Sequence, residues 1–206
     1  MYTPRHFMLD DPVLRRRLVR EHPLALLVAT DARAPEQPPI ALHLPMVWSA
    51  EDGDGGALEG HLARANPHLA ALRDGQPVRL MFSGPDAYVS PSLYDGALNV
   101  PTWNYLALEV QGRLALVDER EAKDTLLKRL IAQQDPGYAA HWRGLPEAYQ
   151  QRMLDAIVGL RVQVLAVAAK AKLSQNRSAA ERARVAAHFE AGTAAGLARW
   201  MRELAP

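Results

Sequence analysis

Short runs in which apolar and polar residues alternate recur along the chain and predict β-strands. Strands are predicted at residues 24–30, 40–48, 57–63, 78–82 and 87–90, over a longer strand or hairpin at 103–117, and again at 160–167. Pro45 lies inside the second of these and should mark a bulge or a sheet edge, because proline cannot donate to a strand ladder. Polar, glycine-rich turns are predicted at residues 52–56 and 83–86.

Helical patterns flank and interrupt these strands. Asp10-Asp11-Pro12 predicts a helix start, with an Asp cap and proline at the first position, and this helix should end before Pro23. Ser178 and Glu181 form a predicted capping box. Further helices are predicted at residues 68–73, 121–134 and 145–157, and in an alanine- and arginine-rich tail at 178–204 that breaks near Gly192 and Gly196.

Six or seven short strands with a helical insertion and helical ends predict a mainly β, α+β fold. The expected architecture is a small closed or half-open β-barrel with peripheral helices rather than a βαβ sheet. We expect one barrel domain over residues 1–178, with the insertion at about 119–158. The helical tail, 179–206, is expected to pack on the same domain.

Composition and charge exclude several classes of function. A chain of 206 residues with 49% apolar side chains suits a globular protein, and a net charge of +1 provides no general electrostatic footprint for nucleic acid. The absence of cysteine excludes disulfides, thiolate nucleophiles and sulfur-ligated zinc, and fits a reducing compartment. The N-terminus lacks the apolar region of a signal peptide, and no apolar stretch is long enough to span a membrane. We therefore expect a cytoplasmic protein with no membrane partner.

Three polar segments are candidates for ligand binding. Residues 172–177, Lys-Leu-Ser-Gln-Asn-Arg, lie between a predicted strand and a helix cap, where a donor cluster can hold an anion. In the second segment, residues 60–67, Arg64 could grip a phosphate bidentately and Asn66 precedes a helix start. The third, residues 87–105, places tyrosines and Trp103 beside hydroxyl and amide groups, a combination that suits a flat heterocycle.

Each of these patterns also has a simpler interpretation. The first segment could be a solvated loop with a helix cap, Asn66 only a cap, Arg64 a surface residue, and the aromatic residues strand core. His43 and His61, on predicted neighbouring strands, could ligate a metal or haem or move a proton, although a hydrogen-bonded strand histidine is the simpler interpretation. No His-Glu-x-x-His motif, phosphate-binding loop, dinucleotide fingerprint or nucleophile elbow is present, and no metal site is expected.

Taken together and in order, the motifs resemble those of the PaiB-type negative transcriptional regulators. The matching stretches are Met1-Tyr2-Thr3-Pro4 with Phe7, His43-Leu44-Pro45, residues 60–67, Gly84-Pro85 with residues 87–92, residues 100–105 and residues 172–177. The chain departs from the family pattern at Leu93, where tryptophan is expected. The resemblance implies an FMN-binding split β-barrel of six or seven strands, related to pyridoxamine-phosphate oxidases, and a homodimer with FMN at the subunit interface.

The resemblance also assigns expected roles. It implies that FMN phosphate is held after a strand, where Arg64 and Asn66 stand, and that residues 172–177 face the flavin or a substrate. The full set of residues expected to bind the cofactor is His43, His61, Arg64, Asn66, Ser90, Ser92, Thr102, Trp103, Asn104, Lys172, Gln175, Asn176 and Arg177.

Three functions remain open from the sequence. The resemblance implies repression of transcription in bacteria, and DNA as a partner follows from the resemblance alone. An FMN-dependent oxidoreductase acting on a small molecule is an alternative, as is a split barrel that binds or degrades haem through His43 or His61. No catalytic residue is assigned, because the isoalloxazine ring itself carries hydride chemistry.

Overall fold

A computed structural model of the chain describes residues 1–49 and 55–204. Its strands are β1 (Leu24–Ala29), β2 (Ile40–Pro45), β3 (Val47–Ser49), β4 (Ala57–Ala63), β5 (Pro77–Val89), β6 (Thr102–Val117) and β7 (Ile157–Lys172). In the described residues they form one sheet in the order β2-β1-β5-β6-β7-β4-β3. The pairs β1–β2, β1–β5, β3–β4 and β4–β7 run antiparallel.

The helices lie at the chain ends and between β6 and β7. They are α1 (Pro12–Glu21), α2 (Arg120–Gln134), α3 (Tyr138–Gly144), α4 (Glu147–Asp155), α5 (Ala179–Ala191) and α6 (Ala195–Glu203). α1 starts as the sequence predicts, because Asp11 Oδ1 accepts from the backbone N–H of Val13 at 2.7 Å. No helix in the described part of the chain combines the length and the apolar composition needed to cross a membrane.

The chain divides into two compact units. Unit 1 comprises Met1–Arg15, Ser83–Leu108 and Ala168–Pro206, and unit 2 comprises Arg16–Phe82 and Glu109–Val167. α5 and α6 belong to unit 1, and α2 to α4 belong to unit 2. The division into a barrel domain and a tail that begins at residue 179 stays a prediction.

Unit 2 curls because its two edge strands are joined by one residue. β2 and β3 occupy opposite ends of the strand order, yet only Met46 separates them along the chain. The two edges must therefore lie side by side, which bends the sheet into a half-open barrel. Gly60 on β4 lies at this approach, where a Cβ atom would come 2.7 Å from the carbonyl oxygen of Pro45. Glycine is needed there because any side chain would force the edges apart.

The predicted strand at residues 40–48 is thus two strands, and Pro45 marks an edge as expected. The strands predicted at 78–82 and 87–90 are one continuous strand, so the turn predicted between them is wrong. The reason is that β1 pairs with β5 only as far as Phe82. Pro85 lies beyond that pairing, where its missing N–H does not interrupt the β1 ladder.

Other differences concern element ends and an unpredicted helix. β7 begins and ends several residues outside the predicted 160–167, so Lys172 lies on a strand rather than in a loop. α3 falls within the helical stretch but was not predicted as a separate helix. Most of the turn predicted at 52–56 lies outside the described residues. The Ser178–Glu181 capping box is confirmed, with the Glu181 N–H donating to Ser178 Oγ at 3.2 Å.

Candidate functional site

The residues expected to bind the cofactor fall into two groups, one in each unit. Unit 2 holds His43, His61, Arg64 and Asn66, and unit 1 holds Ser90, Ser92, Thr102, Trp103, Asn104, Lys172, Gln175, Asn176 and Arg177. The groups are described separately below.

Lys172 brings the end of β7 to the start of β6. Its ammonium donates to Thr102 Oγ1 and, at 2.9 Å, to the carbonyl oxygen of Trp103. An ammonium carries three protons, and these are its two hydrogen bonds to the described residues, so the third proton is available to a ligand. Burial lowers the pKa of Lys172, the nearby Tyr105 opposes that shift, and Lys170 adds to it. The result is a cationic, partly dehydrated donor that an anion would stabilise.

An exposed aromatic surface lies beside this donor. Trp103 follows Thr102 along β6 and is 47% exposed, and its ring centroid lies 6.0 Å from that of Tyr88, which is also half-exposed. The indole Nε1 donates to Asp86 Oδ1 at 2.9 Å, which fixes the ring. Fixed aromatic rings that remain open to solvent suit contact with a flat heterocycle.

Ser90 and Ser92 are hydrogen-bonded to each other, with Oγ atoms 2.8 Å apart. Ser90 also caps a short 3₁₀ turn, accepting from the backbone N–H of Ser92 at 3.3 Å. Their hydroxyls therefore serve the turn, and the exposed Ser92 hydroxyl remains accessible.

Asn104 points into the interior of unit 1. It is fully buried at 0% exposure, and its amide exchanges hydrogen bonds with Ser174 Oγ at 3.0 and 3.2 Å. The hydroxyl of Tyr94 lies 3.3 Å from the same Ser174 oxygen. Ser174 and Tyr94 are not among the residues that the sequence predicts to bind the cofactor. A hydroxyl in the middle of a polar loop gives no signal that it turns inward, and Ser174 does so through a left-handed backbone with φ 61°.

Gln175 and Arg177 close and brace the loop that Ser174 begins. Gln175 Oε1 accepts from the N–H of Leu173 at 2.7 Å, and its Nε2 donates to the carbonyl oxygen of Ala171 at 2.5 Å. The Arg177 guanidinium stacks over the Tyr94 ring, 3.9 Å from its centroid, and donates to Asn99 Oδ1 at 2.9 Å. Asn176 is exposed. The segment is therefore a folded turn rather than a mobile loop.

In unit 2, Arg64 is held by its own chain. The guanidinium makes a bidentate ion pair with Asp118 and donates to the backbone carbonyl oxygens of Asp155, at 2.7 Å, and Ile157, at 3.1 Å. Hydrogen bonds from Arg64 and then Lys123 lower the pKa of Asp118 to about 2. The Asn66 side chain accepts from the N–H of His68 at 2.9 Å and so caps the following turn.

The two histidines differ in their surroundings. His43 is exposed on edge strand β2. His61 lies on β4, and its Nδ1 is buried without a hydrogen-bond partner among the described residues. Burial lowers the pKa of His61, which favours the neutral imidazole. In the part of the chain that the structure describes, no three His, Asp or Glu side chains are grouped so as to hold a metal ion.

These groups can bind an anionic, aromatic molecule. Lys172 and Thr102 provide donors for a phosphate or a polar ring edge, and Trp103 with Tyr88 provides an aromatic surface. FMN requires this combination of chemistry, so the residues present in unit 1 fit it.

Solved structures define the class of fold as a split barrel. The flavocytochrome Anf3 from Azotobacter vinelandii matches with a TM-score of 0.63 and 18% identity over 82% of this chain and 72% of that one. The FAD and heme binding protein from Mycobacterium smegmatis matches with a TM-score of 0.60 and 20% identity over 85% and 78%. The predicted fold class is confirmed.

The chain belongs to the family described as "Putative FMN-binding domain", whose model matches residues 1–166. FMN is therefore the cofactor of the domain, as the resemblance implied. The chain is also 33% identical over 184 residues to the protein named protease synthase and sporulation protein PAI 2 from Bacillus subtilis, covering 86% of this chain and 84% of that protein. This match confirms the PaiB-type resemblance. Residues 172–177 lie beyond the part that the family model matches.

Proposed function

We propose that the protein is an FMN-binding repressor of the PaiB type in which Lys172, Thr102 and Trp103 contact the flavin. The single observation that carries the proposal is the Lys172 ammonium, which is partly buried and retains a free donor beside an exposed aromatic surface. The repressor role is supported by the PaiB-type motifs and by the likeness to the Bacillus subtilis protein named protease synthase and sporulation protein PAI 2.

The first experiment is an absorbance spectrum of the purified protein, followed by FMN titration monitored by quenching of flavin fluorescence. Flavin bands and saturable quenching are expected. The repressor role is tested by comparing transcript levels in a deletion strain with those in its parent strain. Transcripts of repressed genes should rise in the deletion strain. They should return to normal when the wild-type gene is restored, but not when the Lys172→Gln gene is supplied. Unchanged transcripts in the deletion strain would contradict regulation even if FMN binds.

FMN affinity is predicted to fall as pH rises through the lowered pKa of Lys172. Below that pKa the ammonium is charged and pairs with the anion; above it the charge is lost. Because burial lowers this pKa, the decline should begin below 10.5, the ordinary lysine value. We expect an overall loss of about 10- to 100-fold, typical of one charge-assisted hydrogen bond.

Fluorescence titration across the alkaline range measures this effect. Lys172→Arg provides the baseline, since a guanidinium stays charged throughout. Lys172→Gln should bind weakly at every pH. A wild-type profile parallel to that of Lys172→Arg would show that Lys172 does not contact the cofactor.

Arg64→Ala is predicted to weaken FMN binding by about 10- to 100-fold if the guanidinium reaches the phosphate, the cost of one charge-assisted contact. Its ion pair with Asp118 provides the matched control. Asp118→Asn keeps the Arg64 guanidinium but removes the carboxylate with which it pairs. The guanidinium is then available to the phosphate, so FMN binding should be retained or strengthened. If both variants weaken binding equally, Arg64 acts only by bracing the chain at residues 155–157.

We also propose that the protein is a homodimer. Unit 1 exposes apolar side chains close in sequence to the candidate site, including Leu98 at 100% and Val100 at 71% exposure, and a second copy would cover them. Light scattering at several concentrations tests this. The double variant Leu98→Ser/Val100→Ser should shift the mass toward the monomer; an unchanged mass would place the interface elsewhere.

Oxidoreductase activity is a second candidate, because a bound flavin supplies hydride chemistry itself. Bleaching of the flavin bands by NAD(P)H and reoxidation by a specific substrate would support it. Haem binding is favoured by His61 Nδ1, which has no hydrogen-bond partner among the described residues, and by burial, which lowers the His61 pKa and so favours the neutral imidazole. A Soret band on haem titration that is lost in His61→Ala but kept in His43→Ala would support haem; the absence of any band would exclude it.

A further inference from the structure

A cavity lies within unit 1, between the start of α5 and the end of α6. Its volume is about 340 Å³, which falls in the range of small-molecule sites. Three arginines line it, together with an amide and several small or apolar side chains. The lining includes Arg177, Arg182, Ala183, Ala186, Met201 and Arg202.

Arg182 is under-satisfied for a guanidinium, which has five donors. Its Nε is buried and has no hydrogen-bond partner among residues 1–49 and 55–204. Its Nη2 reaches the carbonyl oxygens of Met201 and Leu204 only at 3.4 and 3.5 Å. Burying a charged donor without a partner is unfavourable, so an anion placed here would be strongly favoured.

The other two arginines are arranged differently. Arg177 is fixed over the Tyr94 ring and bonded to Asn99. Arg202 pairs with Glu190, and both side chains are about half-exposed, so water screens this pair and a ligand can replace it. No acidic side chain lines the cavity in the described part of the chain. The cavity therefore has an excess of positive charge.

We propose that this cavity binds a small organic anion. Its carboxylate or phosphate pairs with Arg182, assisted by Arg202, and its apolar part lies against Met201 and Ala186. Planar guanidinium groups match such oxyanions bidentately. α5 and α6 lie beyond residues 1–166, the part that the FMN-binding family model matches. The cavity lining includes none of Lys172, Thr102 and Trp103, so the anion site is distinct from the proposed flavin contacts.

The test uses calorimetric titration of the full-length protein with hexanoate, with inorganic phosphate, and with hexanol as an uncharged control. Saturable binding of hexanoate or phosphate, and none of hexanol, is expected. Arg182→Ala and Arg182→Lys should weaken binding by about 10-fold or more, since lysine cannot reproduce the bidentate contact. Arg184→Ala is the matched control on the same helix, because Arg184 pairs instead with Asp95 and lines no part of this cavity. Equal effects at both positions would overturn the proposal.

A second variant blocks the cavity without changing charge. Ala183 is exposed at the mouth, so Ala183→Met should leave the fold intact and abolish probe binding. FMN affinity should be unchanged in this variant. A loss of FMN affinity would show that the cavity is part of the flavin site and would overturn the proposal of a separate site.

Discussion

Replacing Asn104 with alanine is expected to lower the free energy of unfolding by about 2–4 kcal/mol. The side chain is fully buried, and it is both donor and acceptor to Ser174. Loss of the Asn104 side chain removes two hydrogen bonds from the Ser174 hydroxyl and leaves a cavity in the packed interior of unit 1. Both effects are costly, because the Ser174 hydroxyl keeps only the longer contact of 3.3 Å to the Tyr94 hydroxyl in a buried environment.

Urea denaturation measures this loss, with Asn176→Ala as a control because that amide is exposed in the same segment. The control should change stability by less than about 0.5 kcal/mol. Ser174 supplies a second comparison, since its backbone is left-handed at φ 61°. Ser174→Gly should be less damaging than Ser174→Ala by about 0.5–1 kcal/mol, because glycine relieves the strain. The reverse order would show that the backbone is not strained there.

The second large effect is expected at Glu59, whose replacement with alanine should cost about 3–5 kcal/mol. Glu59 lies on β4 directly opposite Arg161 on β7, and its side chain is 4% exposed. It also accepts from Arg129 of α2 at 2.8 Å. Removing the carboxylate takes away the anion that these two guanidinium groups share and one of the contacts between α2 and the sheet.

Asp31 is the matched control, because it too is shared by two arginines, Arg33 and Arg73, but both of those side chains are about half-exposed. Solvent screens such pairs, so Asp31→Ala should cost far less than Glu59→Ala. Thermal and urea unfolding of both variants provide the measurement. Equal losses would mean that burial of the Glu59 cluster contributes nothing.

The fold could be predicted as far as local patterns determine it. Burial alternates along β2, with Ile40, Leu42 and Leu44 inward, as the apolar pattern indicates. The Ser178 cap also depends only on residues three apart. Strand continuity through Pro85 could not be predicted, because it depends on where a strand distant in sequence stops pairing. The separation of β2 from β3 likewise depends on curling of the whole sheet.

The sequence predicts the chemical groups of the candidate site, but not the directions in which their side chains point. The sequence predicts that Lys172, Gln175, Asn176 and Arg177 face the cofactor or its substrate, and this stays a prediction. It could not show which side chains turn inward, because that depends on the φ of Ser174 and on a buried partner some seventy residues earlier, Asn104. For Arg64, the carboxylate that holds it is 54 residues later at Asp118, so a free cation and a bonded one look the same in sequence.

The Ser178–Glu181 cap has a consequence for where the domain can be cut. Glu181 also accepts from the N–H of Asp95 at 3.0 Å, so a hydrogen bond joins the first turn of α5 to the loop that follows β5. Ending the chain at residue 166, where the family match stops, would remove both this hydrogen bond and the Ser174 partner of Asn104. Protease digestion of such a shortened chain should therefore begin near Asp95, far from the new end.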